Sequence, residues 1–143
     1  MKHDLVVSKS IEVNASREKV WNALTNPEII KEYLFGTETI TDWKVGSDII
    51  FQGEWEGKKY MDKGKVVENI LNTLITYRYW SGFSGMEDKP GNYNLVIYNL
   101  SGNENNSTTL TWTQIGFANE AGYKHSLDGM DVFLKQIKGI IER

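Results

Sequence analysis

The 143-residue sequence contains no cysteine, and this absence removes several kinds of chemistry. Disulfides, thiolate nucleophiles and metal sites built on cysteine are all excluded. Histidine is scarce as well, because only His125 accompanies His3 near the N-terminus. Glu120 and Asp128 beside His125 do not form a recognised ligand pattern, so the sequence predicts no metal site. It also has no nucleophile elbow, phosphate-binding loop or dinucleotide fingerprint, so we expect no cofactor.

Long apolar runs and a charge excess of either sign are also missing. No segment approaches the roughly 20 apolar residues that cross a bilayer, and the N-terminus lacks the apolar region of a signal peptide. The 16 basic and 19 acidic side chains are interleaved and sum to −3, which offers no basic surface for nucleic acid. We therefore expect a cytoplasmic protein with no membrane span and no nucleic-acid partner, folded as one domain over residues 1–143.

Aromatic residues, by contrast, are abundant, with five Trp, seven Tyr and five Phe. Many of them fall in segments that are rich in β-branched residues and separated by turn-forming residues, which is typical of antiparallel strands joined by short connections. Residues 5–13 and a weaker segment near 38–44 add to this set. The central predicted strands are Ile49–Trp55, Lys59–Ile70, Leu74–Trp80, Tyr93–Leu100 and Thr108–Phe117.

Three helices are predicted around these strands. Ser16 is a helix N-cap, and Pro27 suits the first position of a second short helix that stops near Gly36. Residues 120–142 repeat apolar side chains at spacings of three and four, which predicts one long helix. Together the elements predict an α+β fold in which a curved six- to seven-stranded antiparallel sheet packs on this helix. The predicted buried stripe of the helix is Tyr123, Leu127, Met130, Leu134, Ile137 and Ile141.

The strands carry more apolar surface than one helix can cover, because segments such as 74–80 and 95–98 are apolar at consecutive positions. We therefore expect a cavity between sheet and helix, walled by large aromatic residues; the alternative is that these residues fill the interior. A buried Arg78 or Gln114 would need a polar partner that a ligand could supply, unless Arg78 points to solvent. The loop over 81–92 is either a rim of the cavity or a surface connection. The predicted cavity residues are Trp55, Arg78, Tyr79, Trp80, Trp112, Gln114, Leu127, Met130 and Leu134.

Several segments also resemble a known family. Residues 15–28, ASREKVWNALTNPE, resemble the opening of START-like (SRPBCC) proteins, and within them the family named after the activator of heat-shock protein 90 ATPase. Residues 43–47, residues 64–68 with the following strand 74–80, and residues 125–130 (HSLDGM) are similar to later parts of that family. The resemblance implies a helix-grip fold over the whole chain. One departure is Met130, which stands where the family often has Trp and so changes the cavity wall.

Three functions follow as expectations. The first is a non-enzymatic carrier or sensor that binds a small apolar or aromatic molecule in the cavity. The second is a START-like cyclase- or hydratase-type enzyme that uses cavity polar residues, with Arg78, Gln114, Tyr79 and Glu54 as candidates. The third, from the family name, is a chaperone ATPase co-factor; it ranks last because the eukaryotic activators carry an extra N-terminal domain. The sequence leaves a homodimer open.

Overall fold

The computed structural model describes residues 1–143 as seven strands and three helices. In chain order these are β1 (Lys2–Val13), α1 (Arg17–Thr25), α2 (Pro27–Tyr33), β2 (Glu38–Ile40), β3 (Asp48–Trp55), β4 (Lys58–Ile70), β5 (Leu74–Trp80), β6 (Asn94–Gly102), β7 (Thr108–Phe117) and α3 (Glu120–Glu142). A 3₁₀ turn over Pro90–Asn92 precedes β6. All strands join one antiparallel sheet in the order β1-β7-β6-β5-β4-β3-β2. The predicted α+β architecture with a long C-terminal helix is confirmed.

The two short helices begin and end where their capping residues lie. The Ser16 hydroxyl accepts a hydrogen bond from the backbone N–H of Lys19 at 3.2 Å, and Pro27 opens α2 behind the Asn26 cap. After α2 the chain turns through Phe35 and Gly36, which both have positive φ. The Tyr33 hydroxyl donates to the carbonyl oxygen of Ala23 at 2.8 Å and so ties α2 to α1. This bond matters because both groups are buried and would otherwise lack partners.

Alternation along each strand divides the sheet into an inner face, toward the helices, and an outer face. On the inner face Val66 pairs with Tyr77, Tyr77 with Val96, and Tyr98 with Trp112. These side chains belong to one cluster of 24 buried hydrophobic residues that also includes the inward residues of α1, α2 and α3. Gly64 has no space for a side chain, because an added Cβ would lie 2.6 Å from a carbonyl oxygen of β5.

The long helix α3 lies mainly along β1, at one edge of the sheet. Its buried residues are Met130, Leu134, Ile137 and Ile141, as predicted. Leu127 was wrongly placed in this stripe, since its side chain is 36% exposed. At 3.6 residues per turn, the residue one turn before Met130 that faces the sheet is Ser126, which is half-buried. Leu127 lies farther round the helix, toward solvent.

The C-terminal end of α3 is fixed to the first strand by a polar clamp. The Glu142 carboxylate accepts from the backbone N–H of Asn14 at 2.8 Å and from the Lys138 ammonium at 2.5 Å. The same ammonium donates to the carbonyl oxygen of Glu12 at 2.8 Å. These contacts lower the pKa of Glu142, with the hydrogen bond from Lys138 as the largest cause. No helix of the fold combines the length and apolar character needed to cross a membrane.

Candidate functional site

A cavity of about 290 Å³ lies between the inner face of the sheet and α3. It exists because α3 runs along one edge of the sheet and leaves the middle strands without full cover. Five strands (β3 to β7), the C-terminal end of α2 with the segment after it, and one face of α3 contribute to its wall. The wall consists of Leu34, Thr37, Phe51, Asp62, Tyr77, Tyr79, Val96, Tyr98, Trp112, Gln114, Ser126, Met130 and Phe133.

Aromatic rings brace each other across the sheet side of this cavity. The Phe51 ring centroid lies 6.0 Å from that of Tyr77 and 5.7 Å from that of Tyr79. Tyr77 in turn lies 6.4 Å from Tyr98. Tilted and edge-on arrangements of this kind are favourable aromatic contacts. Because each large ring is held by its neighbours, the wall resists collapse into the hollow.

The tyrosine hydroxyls in the wall are neutral at physiological pH. Burial is the main cause that raises the pKa of Tyr77 and of Tyr98 well above the ordinary value. The polar groups of Trp112 and Tyr77 lie near the Tyr98 hydroxyl and oppose part of the rise in its pKa. Burial also dominates the raised pKa of Tyr79, with the Asp62 charge as the next cause. The wall therefore offers uncharged hydroxyls beside its apolar surface.

Asp62 is the one charged residue of the cavity wall. It is only 8% exposed, and its carboxylate accepts from the Tyr79 hydroxyl at 2.5 Å and from the backbone N–H of Gly82 at 3.0 Å. The sequence reasoning missed this residue. The signal was available, because Asp62 shares the alternation of β4 with Gly64 and Val66 and must therefore face inward with them.

Four of the nine predicted cavity residues line the cavity. Tyr79, Trp112 and Gln114 do so from the sheet, and Met130 does so from α3. The Gln114 amide donates to the carbonyl oxygen of Gly116 at 3.1 Å. Leu134 is fully buried in the core but is not part of the cavity wall. Leu127, as described above, lies outside it.

Arg78, Trp80 and Trp55 do not line the cavity, contrary to the prediction. Tyr77 and Tyr79 face inward, so the alternating neighbours Arg78 and Trp80 must lie on the outer face. Arg78 is exposed there in a surface groove, and the Trp80 indole donates to the carbonyl oxygen of Met86 at 3.1 Å. Trp55 ends β3 at a hairpin, where it is 57% exposed.

The same geometry reduces the number of candidate catalytic residues that lie in the cavity. Glu54 is exposed and lines a separate surface depression bordered by α2, β2, β3 and β4. Only Tyr79 and Gln114 of the four candidates lie in the cavity wall. His125 is exposed on α3. The described residues contain no group of three or more His, Asp or Glu side chains placed to hold a metal ion.

The loop over 81–92 was predicted to be either a rim of the cavity or a surface connection, and different parts of it correspond to each. Its start adjoins the cavity, since Gly82 donates to the wall carboxylate, and Phe83 packs on Tyr60 with ring centroids 5.7 Å apart. Its later part lies on the outer face, where Asp88 pairs with Lys63 at 2.7 Å. The loop thus links the edge of the cavity to the opposite side of the sheet.

A single antiparallel sheet that holds a long C-terminal helix, with a hollow between them, defines a START-like domain of the helix-grip type. Residues 14–142 match the family described as activator of Hsp90 ATPase homolog 1-like protein. The chain therefore belongs to that family, as the sequence resemblance implied. Its fold supports a ligand-binding or cyclase-like domain in general terms.

Solved structures agree with this assignment. The solution structure of ChR145 from Cytophaga hutchinsonii is 39% identical in sequence, with a TM-score of 0.85, 99% of this chain and 97% of that chain being covered. An HSP90 activator from Plasmodium falciparum is 19% identical with a TM-score of 0.75, and the Aha1 dimer from Colwellia psychrerythraea is 21% identical with a TM-score of 0.73. Each of these two comparisons covers 96% of both chains. A comparison with curated proteins finds no match.

Proposed function

We propose that this protein binds a small, largely apolar or aromatic molecule in the cavity between the sheet and α3, and acts as a carrier or sensor. The observation that carries this proposal is the cavity itself. Nine of its 13 wall residues are hydrophobic, and the remaining four are polar groups placed among them. Small-molecule sites usually combine these two features in volumes of roughly 300–1,000 Å³.

The cavity volume indicates how large a part of a ligand the protein can enclose. About 290 Å³ corresponds to roughly ten water molecules, since each occupies about 30 Å³ of liquid. A molecule with two fused rings and a short substituent is of that size, whereas a long acyl chain is not. Protein interiors are otherwise packed without holes, so a hollow kept open by braced aromatic rings supports a binding role.

Tryptophan fluorescence provides a direct test, because Trp112 is in the cavity wall and Trp80 is on the outer face. We expect naphthalene probes to bind saturably and to quench the emission. A Trp112→Phe variant should lose most of this response, and a Trp80→Phe variant should keep it. Native mass spectrometry of freshly purified protein should also show a retained small molecule. Absence of both a retained molecule and saturable probe binding would refute the proposal.

A START-like cyclase- or hydratase-type enzyme is the second candidate, and the pairing of Asp62 with Tyr79 inside the cavity favours it. A carboxylate held against a hydroxyl is a common arrangement for moving a proton to or from a bound molecule. Any molecule retained by the purified protein should then change in mass or in chromatographic retention during incubation, and Asp62→Asn should stop the change. A molecule that stays unchanged over days points to the carrier instead.

The family description and the Plasmodium falciparum neighbour motivate a third candidate, a chaperone ATPase co-factor. It predicts that the purified protein accelerates ATP hydrolysis by Hsp90, and an unchanged hydrolysis rate would remove it. The Colwellia psychrerythraea neighbour is a dimer, which motivates the proposal that this chain also dimerises. Light scattering coupled to size-exclusion chromatography should then give twice the chain mass of 16.4 kDa.

A further inference from the structure

The electrostatics of the cavity depend on Asp62 alone. Among the 13 wall residues there is no lysine, arginine or histidine, so no positive charge in the wall faces the carboxylate. The five ion pairs of the protein do not include Asp62. The cation next to it in the chain, Lys63, lies on the outer face and pairs with Asp88 there. The negative charge inside the cavity is therefore not neutralised by the protein.

The hydrogen bonds of Asp62 leave room for a further partner. A carboxylate has two oxygens with about four acceptor positions, and it donates nothing when ionised. The Tyr79 hydroxyl occupies one position on Oδ2, and the Gly82 N–H occupies one on Oδ1. Both donors hold the carboxylate in one orientation. About two acceptor positions remain for a bound molecule.

The other polar groups of the wall do not offset the negative charge and the free acceptor positions of Asp62. Thr37, Gln114 and Ser126 are neutral, and each can act as donor or acceptor. The Thr37 hydroxyl is already engaged with the Leu34 carbonyl oxygen, at 2.7 Å. An anionic ligand would place a second negative charge in a cavity that has no cation to offset the first. A ligand with an N–H, an O–H or an ammonium group would instead supply the donor that the carboxylate lacks.

We propose that the cavity selects ligands whose polar end donates hydrogen bonds or carries a positive charge, and that it excludes carboxylates and other anions. The favoured class is an aromatic amine or alcohol, with the ring body on the aromatic wall and the polar end at Asp62. This inference rests on the proposed ligand-binding function and specifies the chemistry of the ligand.

Three probes that share one ring system test the inference: 1-naphthylmethylamine, 1-naphthalenemethanol and 1-naphthoate. Their dissociation constants should be measured by titration calorimetry at pH 7.5 and physiological salt. We expect the amine and the alcohol to bind at least about tenfold more tightly than the carboxylate, the size of effect given by one charge-assisted hydrogen bond. In Asp62→Asn the difference between amine and carboxylate should fall to about twofold or less.

Two further variants separate the local charge from other causes. Asp48 is an exposed carboxylate on the outer face, so Asp48→Asn changes the net charge equally and should leave the tenfold preference intact. Tyr79→Phe keeps the Asp62 charge and frees one acceptor position, so it should keep or increase the preference for the amine. If Asp62→Asn does not fold, charge selection is tested by the ratio of the dissociation constants of carboxylate and amine, measured in the wild-type protein and in Tyr79→Phe.

The outcomes distinguish this inference from the function on which it rests. Equal binding of the carboxylate and the amine to the wild-type protein overturns the charge selection and leaves the ligand-binding function standing. A preference that survives unchanged in a folded Asp62→Asn variant also overturns it. Failure of all three probes to bind saturably refutes the ligand-binding function, and the charge selection falls with it.

Discussion

Replacing Met130 with Trp should narrow the cavity without unfolding the protein. Met130 is 7% exposed and faces the hollow from α3, opposite the aromatic wall. The larger indole can enter the hollow, which at about 290 Å³ exceeds the added side-chain volume several times. We therefore expect the protein to gain packing and lose binding capacity.

The size of both effects follows from the geometry. Placing the indole in the hollow buries on the order of 50 Å² more apolar surface, which at about 25 cal/mol per Å² is worth roughly 1 kcal/mol of unfolding free energy. For a domain of this length that corresponds to a rise of about 3 °C in the melting temperature. A probe that must then share the space meets an overpacking cost of about 1–3 kcal/mol, which is a loss of roughly tenfold or more in affinity.

The assay pairs thermal unfolding with calorimetric titration of 1-naphthalenemethanol. Val132→Trp is the matched control, because Val132 is 58% exposed on the same helix and the new indole would remain in solvent. The control should bind the probe as the wild-type protein does. Unchanged affinity in a folded Met130→Trp variant would show that probes bind elsewhere. A loss of several kcal/mol in stability would show that the hollow is not accessible to this side chain.

Other substitutions test the fold around the cavity. Gly64→Ala should cost about 1–3 kcal/mol in denaturant titrations, because the added methyl group meets a backbone oxygen at 2.6 Å; Gly129→Ala, with nothing within 4 Å, should instead stabilise the protein by about 0.5–1 kcal/mol. Tyr33→Phe should cost about 1–3 kcal/mol because it leaves a buried carbonyl oxygen of α1 without a donor, and equal stability would contradict this. The pKa of Glu142 lies below its ordinary value of 4.5 in the folded state, so its stabilising contribution is present above pH 4.5 and is lost as pH falls below that value. Lys138→Met should therefore weaken the decline of unfolding free energy in acid, and an identical pH profile would refute the assignment.

Most of the fold could be predicted from local patterns. Ser16, Pro27 and the run from 120 to 142 each specify an element boundary or a period through short-range chemistry, and the structure has these features where they were expected. The strands were recognised because β-branched and aromatic residues cluster between turn residues. Even the short β2 corresponds to the weak extended segment near 38–44.

The residues of the cavity wall were harder to predict, because the type of a side chain does not specify the face of the strand or helix on which it lies. Arg78 and Trp80 were chosen for their chemistry, although alternation with the inward Tyr77 and Tyr79 places them outside. Leu127 was chosen for its hydrophobicity, although the helical period gives its expected place to Ser126. Asp62 was overlooked because a lone acid in a strand is usually solvated. Its two donors are distant in sequence and become visible only once the strands are paired.

Alternation over the last four residues of β5 has a consequence for how this protein can change. Tyr77 and Tyr79 form part of the interior, and Arg78 and Trp80 lie on the outer face, so substitutions in the two pairs can accumulate independently. Insertion of a single residue directly before Tyr77 would exchange the inward and outward positions, and the guanidinium of Arg78 would then face the hydrophobic interior. Single substitutions can therefore change the inner surface one position at a time. A one-residue shift in the register of this strand would instead disrupt the whole surface.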